Sequence, residues 1–456
     1  MALIYNNLLI NKNATKFKPF LFNLVSGRRR LLNNEEFSTV CSMLQKQTDT
    51  LFDEQEKELF HIMKDEKQFL TDEDRFEFEQ KLIEAGHFDI SDEQADNYRF
   101  SIELTQNCNM SCSYCMVSSR TESGLQMTKS HIDAIYNFYH KYADDKDKIA
   151  KTSHIRVTGG EPLLGEESVE LINYIVAKWP ESKLVLFTNG VNIIKYYDKL
   201  PLGAFEEVNI SLDGTKEVHM QRRYSNCKVD LTIYDNIIAG VKRLLEDGVT
   251  VRLKTTLDKS TYTQYSEFKD LLEQENISTS KNCEHECSIV NDLTNPLDLD
   301  ENFNTKADVI KINEYLMEKN LGKSVSIPSS AKLYSALGRP LNERSLPKHQ
   351  RCRSNFLANY YFSCDGNVYF CDCIYEGSGK VGTYYPNISI EEETVSKLKN
   401  RSVINNDKCR ACAYKFVCLG GCPVSATGKG EEMSCGVFTD EDFLDNLEFN
   451  LNSIPR

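Results

Sequence analysis

The sequence predicts an α/β chain: a parallel sheet, closed or partly closed into a barrel, with a smaller module on each side. Three observations predict it. Strand-like and helix-like runs alternate through the middle of the chain, glycines end several of the strand-like runs, and the cysteines gather in clusters. Repeated βα units point to a parallel sheet, because a parallel neighbour is reached through a crossover, usually a helix.

The strand candidates are RFSIELTQ (99–106), HIRVTGG (154–160), KLVLFTNG (183–190), EVNISLDG (207–214) and VTVRLKTTLD (249–258). Helical patterns fall between them, for example EESVELINYIVAKW and YDNIIAGVKRLLEDG, where apolar residues return every three or four positions. Chemistry in such barrels gathers at the C-terminal strand ends. The stretch CNMSCSYC starts at Cys108, directly after the first strand, and so belongs to that rim.

Composition narrows the classes. The 456 residues are 40% hydrophobic and 27% charged, enough for two or three domains with real cores. A formal net charge of -14 argues against duplex nucleic acid or an anionic membrane as a general partner. No run approaches the roughly 18 apolar residues of a membrane span. The start, MALIYNNLLINKN, shows no basic segment followed by an apolar one, so a cytoplasmic protein is expected. There, sixteen cysteines are thiols or thiolates, and clustering points to metal.

Three readings compete for Cys108, Cys112 and Cys115: a disulfide staple, a zinc site, or an iron–sulfur cluster with one iron left open. Disulfide scaffolds are small and secreted. Structural zinc takes four ligands, and no histidine or fourth cysteine stands in this loop. A [4Fe–4S] cluster takes four thiolates, and three closely spaced cysteines wrap one face of the cube and leave one iron free.

With Tyr114 before its last cysteine, this C-x3-C-x2-C stretch resembles the signature of the radical S-adenosylmethionine (AdoMet) enzymes. The resemblance implies a partial (βα)6 TIM-like barrel in which AdoMet chelates the open iron. An electron from the cluster then yields a 5′-deoxyadenosyl radical that abstracts hydrogen from substrate. Gly159-Gly160-Glu161 is similar to the family's GGE motif, whose backbone meets the AdoMet amine; side chains there would block the approach. Ser211 and Asp213, with His219 and Arg223 downstream, resemble the segment whose serine and arginine hold the AdoMet carboxylate, with Arg222 adjacent to the expected position. Thr188-Asn189-Gly190 closes the strand between and is expected near the ribose, or as a simple turn.

The C-terminal cysteines extend the resemblance. Cys352, Cys371, Cys409, Cys412, Cys418, Cys422 and Cys435 follow the seven-cysteine pattern of the SPASM domain, found on radical AdoMet enzymes that modify peptides and proteins. By that analogy two auxiliary [4Fe–4S] clusters are expected, one on Cys352, Cys371 and Cys422, the other on Cys409, Cys412, Cys418 and Cys435. Some relatives, including sulfatase-maturing enzymes, add a cysteine six residues upstream of the first; here that position is Leu346. Cys364 or Cys373 completes the first cluster, or its iron is open to a substrate thiolate. Asp372 after Cys371 matches the base of the sulfatase maturases. Cys41, Cys227, Cys283 and Cys287 are read as structural thiols.

The first 95 residues suggest a hairpin turning at Ser26-Gly27 and helices near 34–47, 53–66 and 72–85, with 87–97 as a linker. That order resembles the winged-helix-like module that binds leader peptides of ribosomal-peptide maturases, by strand addition to a sheet edge. Arg28, Arg29 and Arg30 are candidates to meet acidic leader residues.

The parts expected are therefore a leader-recognition module (1–95), the AdoMet barrel (96–340), a SPASM domain (341–440) and a tail (441–456). The implied activity is an oxidoreductase that crosslinks a precursor peptide, first by a thioether and second by a carbon–carbon cyclophane bond, fed electrons by a flavodoxin or ferredoxin. A sulfatase-maturing enzyme making formylglycine from Cys or Ser is the alternative, and a non-catalytic zinc or electron-transfer scaffold is the rival from another class.

Overall fold

Alternating aliphatic residues place one continuous apolar row across the central sheet. In this computed structural model the described residues are 7–10, 19–23, 28–46, 49–66, 68–71, 99–115, 124–142, 154–223, 232–290, 300–321, 359–373, 378–412, 419–428 and 430–434, with isolated residues between some runs. The predicted strands appear as β4 (Arg99–Glu103), β5 (His154–Thr158), β6 (Lys183–Thr188), β7 (Phe205–Ser211) and β8 (Val251–Leu257). They pair in parallel and in chain order, aligning Ile102 with Val157, Leu186, Val208 and Val251 in turn. All five of these side chains are buried. Helices Glu166–Lys178 and Thr232–Glu246 bury Val169, Ile172 and Ile175, and Ile237, Val241 and Leu244, in the same core.

Each predicted strand runs past the observed C-terminal end, because the motif residues leave the ladder to turn. Gly190 does so at φ +82°, in the left-handed region that glycine enters without a Cβ penalty.

Five strands of this sheet escaped prediction. β9 (Cys283–Ile289) extends the parallel sheet beyond β8, with Val251 opposite Cys283 and Leu257 opposite Ile289. Its sequence CEHECSI carries a single aliphatic residue, Ile289 at its end, so no alternating aliphatic pattern marked it as a strand. β10 (Asn359–Phe362) pairs in parallel with β4 on the other side, and β11 (Asn367–Tyr369), β12 (Lys380–Thr383) and β13 (Ser389–Ile390) continue antiparallel. The sheet order is β13-β12-β11-β10-β4-β5-β6-β7-β8-β9. The sheet is open: among the described residues its two edges do not meet, so the expected barrel is a partial one. The C-terminal hairpins are continuous with it, and Phe362 packs edge-on against Phe100 of β4 with ring centroids 5.8 Å apart.

Near the N-terminus, β1 (Asn7–Ile10), β2 (Phe20–Asn23) and β3 (Arg29–Leu31) form an antiparallel sheet ordered β1-β2-β3. Helices Asn34–Lys46 and Glu54–Asp65 match two of the three predicted. The second starts in a capping box, in which the Asp53 carboxylate accepts from the Glu56 amide and the Glu56 carboxylate from the Asp53 amide. This module has its own core of Leu21, Leu32, Val40, Met43, Phe52, Phe60, Met63 and Phe69. Arg30 is not available to a leader peptide as expected: it pairs with Glu36 at 2.9 Å and Glu66 at 2.8 Å, tying strand to helix. The Ser26-Gly27 turn, most of the 72–85 helix, the linker and the tail lie outside the described residues, as do Cys227, Cys352, Cys418 and Cys435. No helix among the described residues is long and apolar enough to cross a membrane.

Candidate active site

The cysteine loop stands where β4 ends, held by its neighbours' backbones. After β5 the chain turns at Gly159-Gly160 and lies against the segment entering the loop: the Gly160 amide donates to the Thr105 carbonyl at 2.7 Å and the Glu161 amide to that of Asn107 at 2.9 Å. A Cβ on Gly159 would sit 2.5 Å from Thr105 O, and one on Gly160 2.3 Å from Asn107 O. Backbone packing thus already requires both glycines, before any ligand approaches.

Glu161 turns inward rather than toward the rim. Its buried carboxylate accepts from the Leu163 amide at 2.8 Å, Thr188 Oγ1 at 2.6 Å and the Asn189 amide at 2.7 Å. Burial pushes its pKa up to about 6 against these hydrogen bonds. Asn189, expected near a ribose, sends Nδ2 to Asn109 Oδ1 at 2.7 Å, with the Cys108 sulfur at 4.0 Å. Glu161 and Asn189 together brace the loop.

The other brace is helix Lys216–Arg223, whose last carbonyls, of Arg222 and Arg223, accept from the Ser113 and Ser111 amides at 3.1 Å each. The side chains of these two arginines meet different partners. Arg222 turns away from the thiols to Asp258, at 2.9 Å, and to the Thr256 carbonyl. Arg223 brings one terminal nitrogen 3.7 Å from the Cys112 sulfur and the other 2.9 Å from the Tyr114 hydroxyl.

Asp213 anchors this group. It accepts from Arg223 Nε at 3.0 Å, from the Tyr114 hydroxyl and from the Thr256 amide at 3.2 Å. Burial raises its pKa, yet Arg223 and Arg222 outweigh burial and hold the carboxylate below its ordinary range. Tyr114 lies beneath Arg222, whose guanidinium carbon is 4.6 Å from the ring centroid, and burial raises its hydroxyl's pKa. His219 accepts from the Asp213 amide at 3.3 Å, and burial, with Arg223 next, holds it neutral with a pKa of about 3. Ser211 ends β7 opposite Lys254, at the same rim.

The donor set fits a cluster. Burial pushes the Cys108 thiol up to about 12, with Glu161, Cys112 and Cys115 adding repulsion, and burial raises Cys112 despite Arg223. Such thiols hold their protons until a metal cation replaces them. Three of them in one braced loop suit the iron cluster better than a fourth-ligand-hungry zinc.

A second group of sulfurs follows β11. The Cys371 and Cys373 sulfurs and an Asp372 carboxylate oxygen lie within 4.8 Å of one another. Asp372 reaches across the sheet to Arg156 of β5, at 3.3 Å. Cys364 points elsewhere: it is buried, donating to Glu103 Oε2 and to the Leu125 carbonyl, both at 3.7 Å. Cys409 is buried beside Leu70, Val403 and Met433, Cys412 is exposed, and Cys371 and Cys422 both pack against the main core.

Residues 102–273 match the radical SAM superfamily model. The chain carries a radical SAM domain. This superfamily is a class of enzymes, and its cluster and AdoMet are the cofactors the braced loop fits. Curated relatives include the GTP 3′,8-cyclases of Clostridium perfringens (31% identical over 163 residues, 34% of this chain and 45% of that protein) and Helicobacter pylori (30% over 172 residues, 38% and 50%). The chain thus spans about half the length of the curated relatives it matches. Among solved structures, Streptococcus suis SuiB bound to precursor peptide SuiA aligns with a TM-score of 0.54 at 16% identity, over 95% of this chain and 98% of that one. The anSMEcpe protein with bound AdoMet and Kp18Cys peptide aligns at 0.53 and 18% identity, over 77% and 97%. These likenesses establish the radical SAM fold. The cyclase relatives were not anticipated from the motifs, which led toward peptide maturases.

Sequence reasoning missed Asn109, Arg156, Thr256 and Asp258. Each acts through a partner at least 10 residues away in the chain, and no local pattern marks such pairs.

Proposed function

We propose that the chain is a radical AdoMet maturase that installs an intramolecular crosslink in a ribosomally made precursor peptide, a thioether first and a carbon–carbon cyclophane bond second. The observation that carries this reading is the extent of the fold likeness. Alignment with SuiB, a protein solved with its precursor peptide, takes in 95% of the chain, which leaves too few residues to omit the N-terminal module. The cyclase relationship, by contrast, covers about a third of the chain.

When bound, AdoMet on a reduced [4Fe–4S] cluster supplies a 5′-deoxyadenosyl radical, and two auxiliary clusters supply an electron acceptor. In this reading Cys108, Cys112 and Cys115 hold the first cluster. Arg223 places positive charge beside it and, with Ser211, takes the AdoMet carboxylate, while the backbone at Gly159–Glu161 takes the amine. Asp213 orients Arg223 and Tyr114; Glu161 orients Asn189, which steadies the loop. Asp372 accepts a proton from the substrate group that becomes bonded. Cys352, Cys371 and Cys422 hold one auxiliary cluster, and Cys409, Cys412, Cys418 and Cys435 the other. Residues 1–95 capture the leader along the outer edge of β3, and a flavodoxin or ferredoxin delivers electrons.

The test is co-expression with a short cysteine-containing peptide encoded beside this gene, followed by mass spectrometry and by anaerobic assay of 5′-deoxyadenosine. A loss of two hydrogens per link, with the peptide thiol blocked, is expected for the thioether. An aldehyde captured by a hydrazide probe would favour formylglycine formation, the reading that Asp372 beside Cys371 supports. A protein that modifies peptide without iron would overturn both.

A further inference from the structure

Cys108 and Cys112 face different donors, although they belong to one loop. The Cys108 sulfur accepts from the Met110 amide at 3.4 Å and lies 4.0 Å from Asn189 Nδ2, both uncharged groups. The Cys112 sulfur lies 3.7 Å from Arg223 Nη1, a cationic donor.

That contact is built into the backbone. Cys112 is flanked by Ser111 and Ser113, whose amides donate to the Arg223 and Arg222 carbonyls at 3.1 Å each. The end of helix Lys216–Arg223 therefore holds both sides of the thiol and supplies the guanidinium beside it. The guanidinium is fixed in turn. Its Nε donates to Asp213 Oδ2 at 3.0 Å, and its Nη2 to the Tyr114 hydroxyl at 2.9 Å and to Asp213 Oδ1 at 3.5 Å. Arg223 is 8% exposed and Asp213 2%, so water screens neither charge well.

A cysteine thiolate accepts a hydrogen bond from a cation more strongly than a neutral thiol does, and more strongly still as its cluster gains negative charge. A donor aimed at that sulfur thus favours the reduced cluster over the oxidised one and raises the reduction potential. A carboxylate behind the donor acts with the opposite sign. We infer that Arg223, through its N–H contact with the Cys112 sulfur, sets the reduction potential of the AdoMet-site cluster, with Asp213 as the opposing charge. This rests on the ligation of that cluster by Cys108, Cys112 and Cys115 proposed above. Both residues act through the cysteine sulfur, so their effect is present before AdoMet binds and is separate from any contact with its carboxylate.

The test is an anaerobic redox titration of the reconstituted full chain without AdoMet, with dithionite as reductant and electron paramagnetic resonance as readout. The signal missing from a chain with Cys108, Cys112 and Cys115 all changed to Ala belongs to this cluster. Arg223→Gln should lower the equilibrium constant for its one-electron reduction about tenfold (~59 mV). Asp213→Asn, which keeps Arg223 and the shape of its partner, should raise the constant. Arg222→Gln removes the same charge one residue away, from a side chain that faces Asp258, and should change the constant by less than about twofold. An unchanged potential in Arg223→Gln would overturn the assignment, as would an equal fall in Arg222→Gln, which would reduce the effect to net charge. If Arg223→Gln takes up no iron, Asp213→Asn decides, and a potential that stays or falls sinks the proposal. A triple-alanine chain that keeps every signal would remove the cluster from this loop and end the reading beneath. A cluster that is present and indifferent to these changes would sink only the role of Arg223.

Discussion

Arg223 holds a terminal guanidinium nitrogen 3.7 Å from the Cys112 sulfur while its Nε stays 3.0 Å from Asp213. One side chain thus joins the cysteine loop after β4 to the acidic residue after β7. The neighbouring Arg222 instead pairs with Asp258. The two arginines therefore predict different phenotypes. Arg223→Lys keeps the charge and loses the planar fork; AdoMet affinity should fall about tenfold, near 1.4 kcal/mol. Arg222→Lys should leave affinity within about threefold and lower the thermal midpoint, because it weakens a buried ion pair. Equilibrium binding and melting of the reconstituted protein distinguish them. Equal affinity losses would contradict the assignment.

Gly160 is a packing requirement. A Cβ there would lie 2.3 Å from Asn107 O and 2.7 Å from Gln106 O, whereas one on Gly203 meets nothing within 4 Å. Gly160→Ala should displace the cysteine loop, cutting both stability and iron uptake by more than half. Gly203→Ala should stay within about 0.5 kcal/mol of the parent. Iron content and urea unfolding check both; normal iron in Gly160→Ala would show that the loop tolerates the shift.

Acid should weaken the fold through buried histidines. His285 on β9 lies 2.8 Å from Thr255 Oγ1, and burial, then Lys269, lower its pKa to about 3 from an ordinary 6.5. Its folded pKa lies below its unfolded one, so the unfolded chain binds more protons below pH 6.5 and stability falls toward pH 3. The slope contributed is up to about 1.4 kcal/mol per pH unit. His285→Gln should flatten the decline between pH 6.5 and 5, read by urea midpoints. An unchanged slope would mean that His285 titrates normally.

Asp372 pairs with Arg156 at 3.3 Å, and under the proposed function it accepts the substrate's proton. Asp372→Asn should reduce crosslink formation by about 10²-fold while 5′-deoxyadenosine formation and iron content persist. Loss of iron in parallel would assign it a structural role instead.

Leu31 at the β3 edge is 64% exposed, although it is a large apolar residue. If the leader docks along that edge, Leu31→Glu should weaken peptide binding about tenfold and leave peptide-free AdoMet cleavage within about twofold. Fluorescence anisotropy with a labelled leader measures the first, and unaltered binding would place the leader elsewhere.

Much of the site was legible in local sequence. Strand-end glycines, the cysteine spacing and the order of GGE, TNG and SLD segments placed the candidate AdoMet contacts on one rim, and the structure gathers them at the cysteine loop in two groups, Cys108 with Glu161 and Asn189, and Cys112 with Tyr114, Asp213 and Arg223. β9 was illegible because its polar alternation hides an edge strand, and β10 because its partner β4 lies some 260 positions earlier in the chain.

Residue order alone determined the parallel βα plan, the rim position of the thiol loop and the types of donor available, since periodicity and short spacings follow from backbone geometry. Which arginine faces the sulfurs, where the Glu161 carboxylate turns, that the sheet stays open and that Cys364 sinks into the core were decided only in three dimensions. Those choices depend on hydrogen-bond partners and packing volumes brought together from distant segments, and no local pattern carries them.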